Sequence, residues 1–183
     1  SPEQMKDEFK AVLNVVQKAM KTYKMEYKIR FSLWDPQKPE KYLGSKETWK
    51  KSQKMMEEIL VENKIDYFKA EGEAAIYGPK MDLIAKDSIG REWQLSTIQL
   101  DLIMPERFGL KYVDKEGKEK TPVMIHRALV GSPERFLGVL LEHYAGALPL
   151  WLSPIHILIL PIGSSHQKYA QEIKKELNSF RVE

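Results

Sequence analysis

Cysteine is absent from the 183 residues. That excludes a disulfide framework, a thiol nucleophile and any zinc site built on cysteines of this chain. The absence suits a reducing compartment, although many secreted chains also lack cysteine. Long hydrophobic runs are missing too. The strongest, Ile157 to Ile162, falls far short of the ~20 residues that a bilayer-crossing helix needs. Ser1 to Lys6 carries no signal-peptide pattern, so the expectation is a soluble, cytoplasmic protein with no membrane role. Charge of one sign is scarce. The formal value is +3, with its positive excess in residues 1–70, well below the basic footprint that would argue for nucleic acid unaided. Internal repeats and low-complexity segments are also lacking.

What is present suffices for a core. Apolar residues make up 43% of the chain, and the 30% that are charged mix both signs, a composition unlike that of disordered segments. The length suits one ordinary domain, or one domain and the beginning of another. Ser1, Pro2 and Gln4 give a capping box with proline at the first helical position. Met5, Phe9, Val12, Leu13, Val16, Met20 and Tyr23 then recur at helical spacing. Tyr27 to Trp34 alternates as a strand, Asp35 to Gly44 is a polar loop, and Ser45 caps a second helix running to about Asn63, with Trp49, Met56, Ile59 and Leu60 on its apolar face. From Met81 the period becomes two. Met81–Lys86 and Arg91–Asp101 read as an antiparallel hairpin turning at Asp87-Ser88-Ile89-Gly90. Leu110–Val113 and Val123–Val130 form the next expected pair. Ser132 and Pro133 then open a helix burying Phe136, Leu137, Leu140, Leu141 and Tyr144.

Residues 1–150 therefore predict an α+β domain, an antiparallel sheet flanked by helices. Residues 151–183 change grammar. Ile155 to Ile162 is an almost wholly apolar strand followed by a helix from about His166, the opening of an α/β unit buried on both faces. A start on a helix cap without methionine, and a final unit too small for its own core, are the expected marks of a segment of something longer.

Four constellations could carry chemistry. The strand Arg91 to Leu100 places Gln94, Thr97 and Gln99 mid-strand among apolar neighbours, where neutral polar groups need partners. A bound polar ligand supplies them; neighbouring backbone is the plainer source. Gln94 and Gln99 point to opposite faces unless a bulge intervenes. In Tyr77-Gly78-Pro79-Lys80, the Gly-Pro turn holds a phenol and an ammonium at its rim; an ordinary surface turn is the plainer reading. His126 lies inside the strand at 123–130, and a lone strand histidine is more often a hydrogen-bonded core residue than a metal ligand. Finally, Gly131-Ser132-Pro133-Glu134-Arg135 opens a helix. Glycine admits a ligand to the backbone, and free N–H groups suit phosphate. Arg135 sits in the first turn, where a cation opposes the helix dipole. Its planar guanidinium can stack on a base or pair with phosphate, or simply pair with a nearby carboxylate.

Taken in order, Glu73 to Lys80, Trp93 to Asp101 and Met124 to Phe136 resemble the threonyl-tRNA synthetases, a class II aminoacyl-tRNA synthetase family. The resemblance covers essentially the whole chain. The glycine-to-arginine segment is similar to the third class II signature motif, and the final unit to the start of the family's anticodon-binding domain. The resemblance implies ATP-dependent joining of threonine to tRNA through a threonyl-adenylate, with magnesium accompanying ATP, in an enzyme that is usually a homodimer. By that likeness Arg135 would stack on adenine and hold the folded-back triphosphate. Gly131 and Ser132 would line the nucleotide pocket, and Gln94 and Thr97 would meet the ATP. Tyr77, Lys80 and Gln99 would face the amino acid or the reaction centre, with Lys80 and Arg135 the catalytic pair. His126 would be one of three ligands to a zinc ion that binds threonine's amino and hydroxyl groups.

Departures from the family pattern matter here. The first two signature motifs, the arginine on the α-phosphate and the other two zinc ligands would precede Ser1, so the chain alone is expected to be inactive. Ile76 stands where the family usually has an aromatic residue. Two other readings compete: a non-catalytic synthetase-like module that binds RNA or a protein, and another class II synthetase such as the prolyl or seryl enzyme.

Overall fold

The structure is a computed structural model describing residues 1–183. It divides into two units, Ser1–His143 and Tyr144–Glu183. In the first, helix α1 (Met5–Thr22) leads to strand β1 (Tyr27–Leu33), helix α2 (Lys46–Glu62) and strand β2 (Tyr67–Glu71). The hairpin β3 (Lys80–Lys86) and β4 (Glu92–Asp101) follows, then the short helix α3 (Met104–Arg107), the two-residue strands β5 (Tyr112–Val113) and β6 (Glu119–Lys120), strand β7 (Met124–Ala128) and helix α4 (Pro133–His143). Five strands make one sheet in the order β2-β1-β3-β4-β7. All pairings are antiparallel except β1 with β2, a parallel pair joined through α2.

One face of the sheet is apolar. Ile29 and Phe31, Met81 and Leu83, and Ile98 and Leu100 are buried there. Helix α1 brings Phe9, Leu13, Val16 and Met20, and α2 brings Trp49, Met56, Ile59 and Leu60; all are at most 2% exposed. These are the residues that the helical spacing picks out, and each helix covers the sheet with one stripe. Ser45 caps α2 as expected, its Oγ accepting from Thr48 N at 3.2 Å. The box at the start of α1 is half made. Gln4 Oε1 accepts from the Ser1 amine at 2.9 Å, but no side chain caps the helix, which begins at Met5.

The structure departs from the sequence reading in four places, the first a strand that reading does not assign. Strand β2 is real although its short run, Tyr67-Phe68-Lys69, gives little periodicity; it forms because α2 returns the chain parallel to β1. The segment 110–113 does not pair with 123–130. Asp114 Oδ1 accepts from Glu116 N and Lys118 N, both at 2.9 Å, and this closes a tight turn that pairs β5 with β6. That leaves β7 to complete the ladder beside β4. In α4, Phe136, Val139 and Leu140 are buried, whereas Leu137 and Leu141 face outward at 53% and 42% exposure. The narrower stripe is what a helix needs when it contacts the rest along one side.

The fourth correction lies in the second unit. Ile155–Ile162 is not a strand: only residues 181–183 run alongside, giving a single parallel bridge between Ile157 and Val182. Leu160 and Ile162 are exposed. A fully apolar strand needs neighbours on both edges, and a three-residue partner supplies one edge over one bridge. Helix α5 (Gln167–Glu176) follows where expected. No helix of the chain is long and apolar enough to cross a membrane.

The β3–β4 turn carries a stability device. Asp87 Oδ1 accepts from Ile89 N and Arg91 N, and its Oδ2 from Arg91 Nε and Trp93 Nε1. Burial alone would raise its pKa, but the donors from Trp93, Arg91 and the backbone outweigh that and hold it at about 2. A carboxylate depressed in the folded state stabilises above its unfolded pKa of 3.8, and loses that contribution as pH falls through about 2. The Tm difference between wild type and Asp87→Asn is therefore expected to be constant above that range and to shrink as pH drops from 3.8 toward 2. A gap that stays the same down to pH 2 would refute the clamp.

Candidate active site

The face opposite the helices is polar, and the register of the sheet builds it in rows. Ser32, Lys80, Gln99 and His126 stand side by side across β1, β3, β4 and β7. The next row holds Arg30, Asp82, Thr97 and Ala128. Residues opposite one another on one face sit about 4.5–5.5 Å apart at Cβ, so each row is a line of neighbouring side chains.

Gln94 joins this face through a defect in the ladder. Strict alternation would point it away from Gln99. Instead the register shifts between Leu83 and Ile84: Leu83 pairs with Ser96, but Ile84 pairs with Gln94, leaving Leu95 as the extra residue. One inserted residue inverts the alternation beyond it. The bulge puts the Gln94 carboxamide on the side of Asp82, where its Nε2 donates to Asp82 Oδ1 at 2.9 Å.

At one end, the turn before β3 leans over the sheet. The Tyr77 hydroxyl donates to Gln99 Oε1, and its ring lies 4.9 Å from that of His126. Burial first, and then the charge of Asp101, push the Tyr77 phenol above its ordinary pKa. It therefore stays protonated and remains a donor. Gln99 thus has its side-chain oxygen engaged. The turn is fixed by close approach: a Cβ on Gly78 would lie 2.0 Å from Leu100 O on β4.

His126 Nε2 lies 2.8 Å from Asp101 Oδ2. Asp101 is fully buried, and its other oxygen accepts from Ile103 N and Met104 N at 2.9 and 2.8 Å, which anchors the carboxylate at the start of α3. A carboxylate engaging one ring nitrogen leaves the other as a metal ligand in fixed orientation. The fit to zinc is that of a single ligand, because nowhere does the chain gather three His, Cys, Asp or Glu side chains around one point.

At the other end, Gly131 adopts φ +64, and a Cβ there would lie 3.2 Å from Arg135 Nη2 and 3.3 Å from Leu95 O. The guanidinium lies across that bare glycine and donates to Gln94 O at 3.2 Å. Ser132 is occupied with the helix start, accepting from Arg135 N at 3.3 Å and donating to Glu134 Oε2 at 2.7 Å. Between the two ends, Thr97 Oγ1 and Arg30 Nε are buried without a partner. Buried orphans are rare, and these two lie in the row between the amide and guanidinium end and the histidine end.

The structure thus links Tyr77, Gln99 and His126 at one end with Gln94, Gly131 and Arg135 at the other. Lys80 joins them through Asp82, its Nζ 3.3 Å from Oδ2. Sequence reasoning missed Arg30, Ser32, Asp82 and Asp101. The signal for Asp82 was legible, a lone carboxylate between Met81 and Leu83; the other three become visible only through register. A separate recess of about 840 Å³, lined by Tyr27, Ile65, Tyr67 and Phe68, takes in none of these residues.

Comparison with known proteins gives a consistent picture. Residues 1–144 match the family model described as tRNA synthetase class II core domain (G, H, P, S and T). The threonine–tRNA ligase of Thermus thermophilus is 46% identical over 178 residues, 97% of this chain and 27% of that protein. The threonine–tRNA ligase of Rubrobacter xylanophilus is 45% identical over 184 residues, 99% of this chain and 29% of that protein. The chain thus spans under a third of these relatives' length. Among solved structures, the RNA binding domain of threonyl-tRNA synthetase from Cryptosporidium parvum superposes with a TM-score of 0.91 at 35% identity, covering 100% of this chain and 46% of that one.

Proposed function

From a chain that belongs to the class II tRNA synthetase core-domain family, with threonine–tRNA ligases among its relatives, we propose a protein that joins threonine to its tRNA through a threonyl-adenylate. These 183 residues would supply part of that site and would be inactive alone. The observation that supports the reading is that three separated segments meet along β4: Tyr77 on Gln99, β7 beside residues 97–101, and Arg135 on the Gln94 carbonyl. Two of them, 94–99 and 126–135, come together because β7 pairs with β4.

Each group has a role suited to its setting. The Arg135 guanidinium, steadied over Gly131, offers a planar cation to adenine and the triphosphate with its magnesium. Gln94 and the orphaned Thr97 hydroxyl meet the nucleotide between the two ends, with Gly131 and Ser132 at its rim. The Lys80 ammonium supplies positive charge where the carboxylate and α-phosphate react. Tyr77 and Gln99 orient the amino acid. His126, aligned by Asp101, would hold a zinc ion together with ligands from outside these residues. The metal would supply a Lewis-acid contact to threonine's hydroxyl, which rejects valine more strongly than an apolar pocket can. A tRNA partner and a homodimer belong to the same proposal.

Exchange of ATP with pyrophosphate by the protein carrying this chain tests the reading. Exchange that depends on threonine is expected; dependence on proline or serine instead, or none with any amino acid, would overturn it. The metal role has its own check. In His126→Ala, zinc measured in the purified protein should fall to background, and Asp101→Asn should weaken zinc binding by about 10–100-fold. Unchanged zinc content in His126→Ala would remove the histidine from the ligand set.

A further inference from the structure

Asp82 is the one fully buried carboxylate in the middle of the polar face, and neither the family motifs nor the roles above use it. A buried carboxylate is costly unless paired and hydrogen-bonded. This one is saturated. Its Oδ2 accepts from Ser32 Oγ at 2.7 Å and from Arg30 Nη2 at 3.1 Å, and forms an ion pair with Lys80 Nζ at 3.3 Å. Its Oδ1 accepts from Gln94 Nε2 at 2.9 Å. The amide is held at both ends, since Gln94 Oε1 accepts from Arg30 Nη2 at 3.0 Å. Arg30 in turn reaches Glu73 Oε2 at 3.4 Å with its Nη1.

We propose that Asp82 is the positioning residue of this face, its carboxylate fixing the Lys80 ammonium and the Gln94 carboxamide in the attitudes in which they meet the amino acid and the nucleotide. The claim rests on the synthetase reading for what those two groups meet, but not for the positioning itself. Charge supports it. Asp82 and Glu73 balance Arg30 and Lys80, and Asp82 is the anion that both cations share. Without the carboxylate, two nearby cations would repel each other and the lysine would swing away. Geometry supports it independently. The bulge at Leu95 turns Gln94 onto Asp82, so the backbone defect and the carboxylate together set where the amide points.

The test uses Asp82→Asn and Asp82→Glu in the protein carrying this chain. An asparagine amide is uncharged and donates at one end, so it cannot accept from Arg30 and Ser32 at one atom and from Gln94 at the other, nor pair with the Lys80 ammonium. The proposal expects the Gln94 side-chain amide resonances to shift and lose protection from hydrogen exchange in Asp82→Asn. It also expects kcat for threonine-dependent pyrophosphate exchange to fall at least tenfold, and Asp82→Glu to recover most of that loss. Resonances that do not move, or kcat within threefold of wild type in a folded Asp82→Asn, would overturn it. If Asp82→Asn fails to fold, Ser32→Ala serves, because it strips one donor from the same oxygen and must still shift the Gln94 amide; an unmoved signal there overturns the proposal. A wild type without threonine-dependent exchange strikes only the functional reading, while an unmoved Gln94 amide strikes only the positioning role.

Discussion

Arg135→Ala is expected to lower the rate of adenylate formation by about 10²–10³-fold, the usual consequence of removing one preorganised electrostatic contact from a reacting centre. The expectation follows from how the side chain is held. Arg135 lies over Gly131, which has no Cβ to obstruct it, and one of its terminal nitrogens donates to Gln94 O. The guanidinium is therefore already ordered, and little conformational entropy remains to be lost when a nucleotide arrives. Its position in the first turn of α4 is unfavourable for the helix dipole, so removing it should not harm the fold. The measurement is pyrophosphate exchange beside a melting curve: a large rate loss with an unchanged Tm is predicted, and activity within threefold of wild type would contradict the role. Arg135→Lys should recover little, because an ammonium neither stacks nor forks.

The second large effect is expected from Gly78→Ala, a single added methyl. Its Cβ would fall 2.0 Å from Leu100 O, and the obstacle is strand backbone rather than a side chain that could swing aside. The turn would have to lift away from β4. Its ties are Gly78 N to Ala75 O at 3.3 Å and Leu100 N to Pro79 O at 3.1 Å, and the second would stretch or break. Overpacking of this kind costs about 1–3 kcal/mol, which for a chain of this size lowers Tm by roughly 2–4 °C per kcal/mol. The larger loss should be functional, since the turn carries Tyr77 at one side and Lys80 at the other. Separation of Tyr77 from Gln99 and His126 should raise KM for threonine by about tenfold or more, on the order of one lost hydrogen bond to a buried polar group. Wild-type Tm and KM together in Gly78→Ala would show that the close approach does not matter.

Helices α1, α2, α4 and α5, the β3–β4 hairpin and the cap of α2 are legible because each is set by local spacing or a local side chain, whereas the four-residue α3 is not. Phe9 to Met20 and Trp49 to Leu60 bury the stripes that their periodicity marks. What depends on pairing between distant segments was not legible. Strand β2 exists because α2 brings it beside β1, and β7 pairs with β4 because Asp114 ties off the intervening loop into its own small ribbon. Within the site, Tyr77, Gln99 and His126 are separate candidates by type and neighbours; the register sets Gln99 beside His126, and the 77–80 turn brings Tyr77 onto both. Gln94 is the most instructive residue. Alternation placed it on the wrong face, and a bulge that no local residue pattern announces returns it to the right one. Asp82 could have been found, as a charge inside an otherwise apolar strand, but its four partners lie on three strands.

Titration of the protein carrying this chain with a non-hydrolysable threonyl-adenylate analogue, followed by NMR of labelled side chains, tests the central claim most directly. One ligand shared across the polar face predicts that signals from Tyr77, Gln94, Gln99, His126 and Arg135 move together and saturate at one concentration. Movement confined to one end, or saturation of the two ends at different concentrations, would mean that the three segments do not form one site.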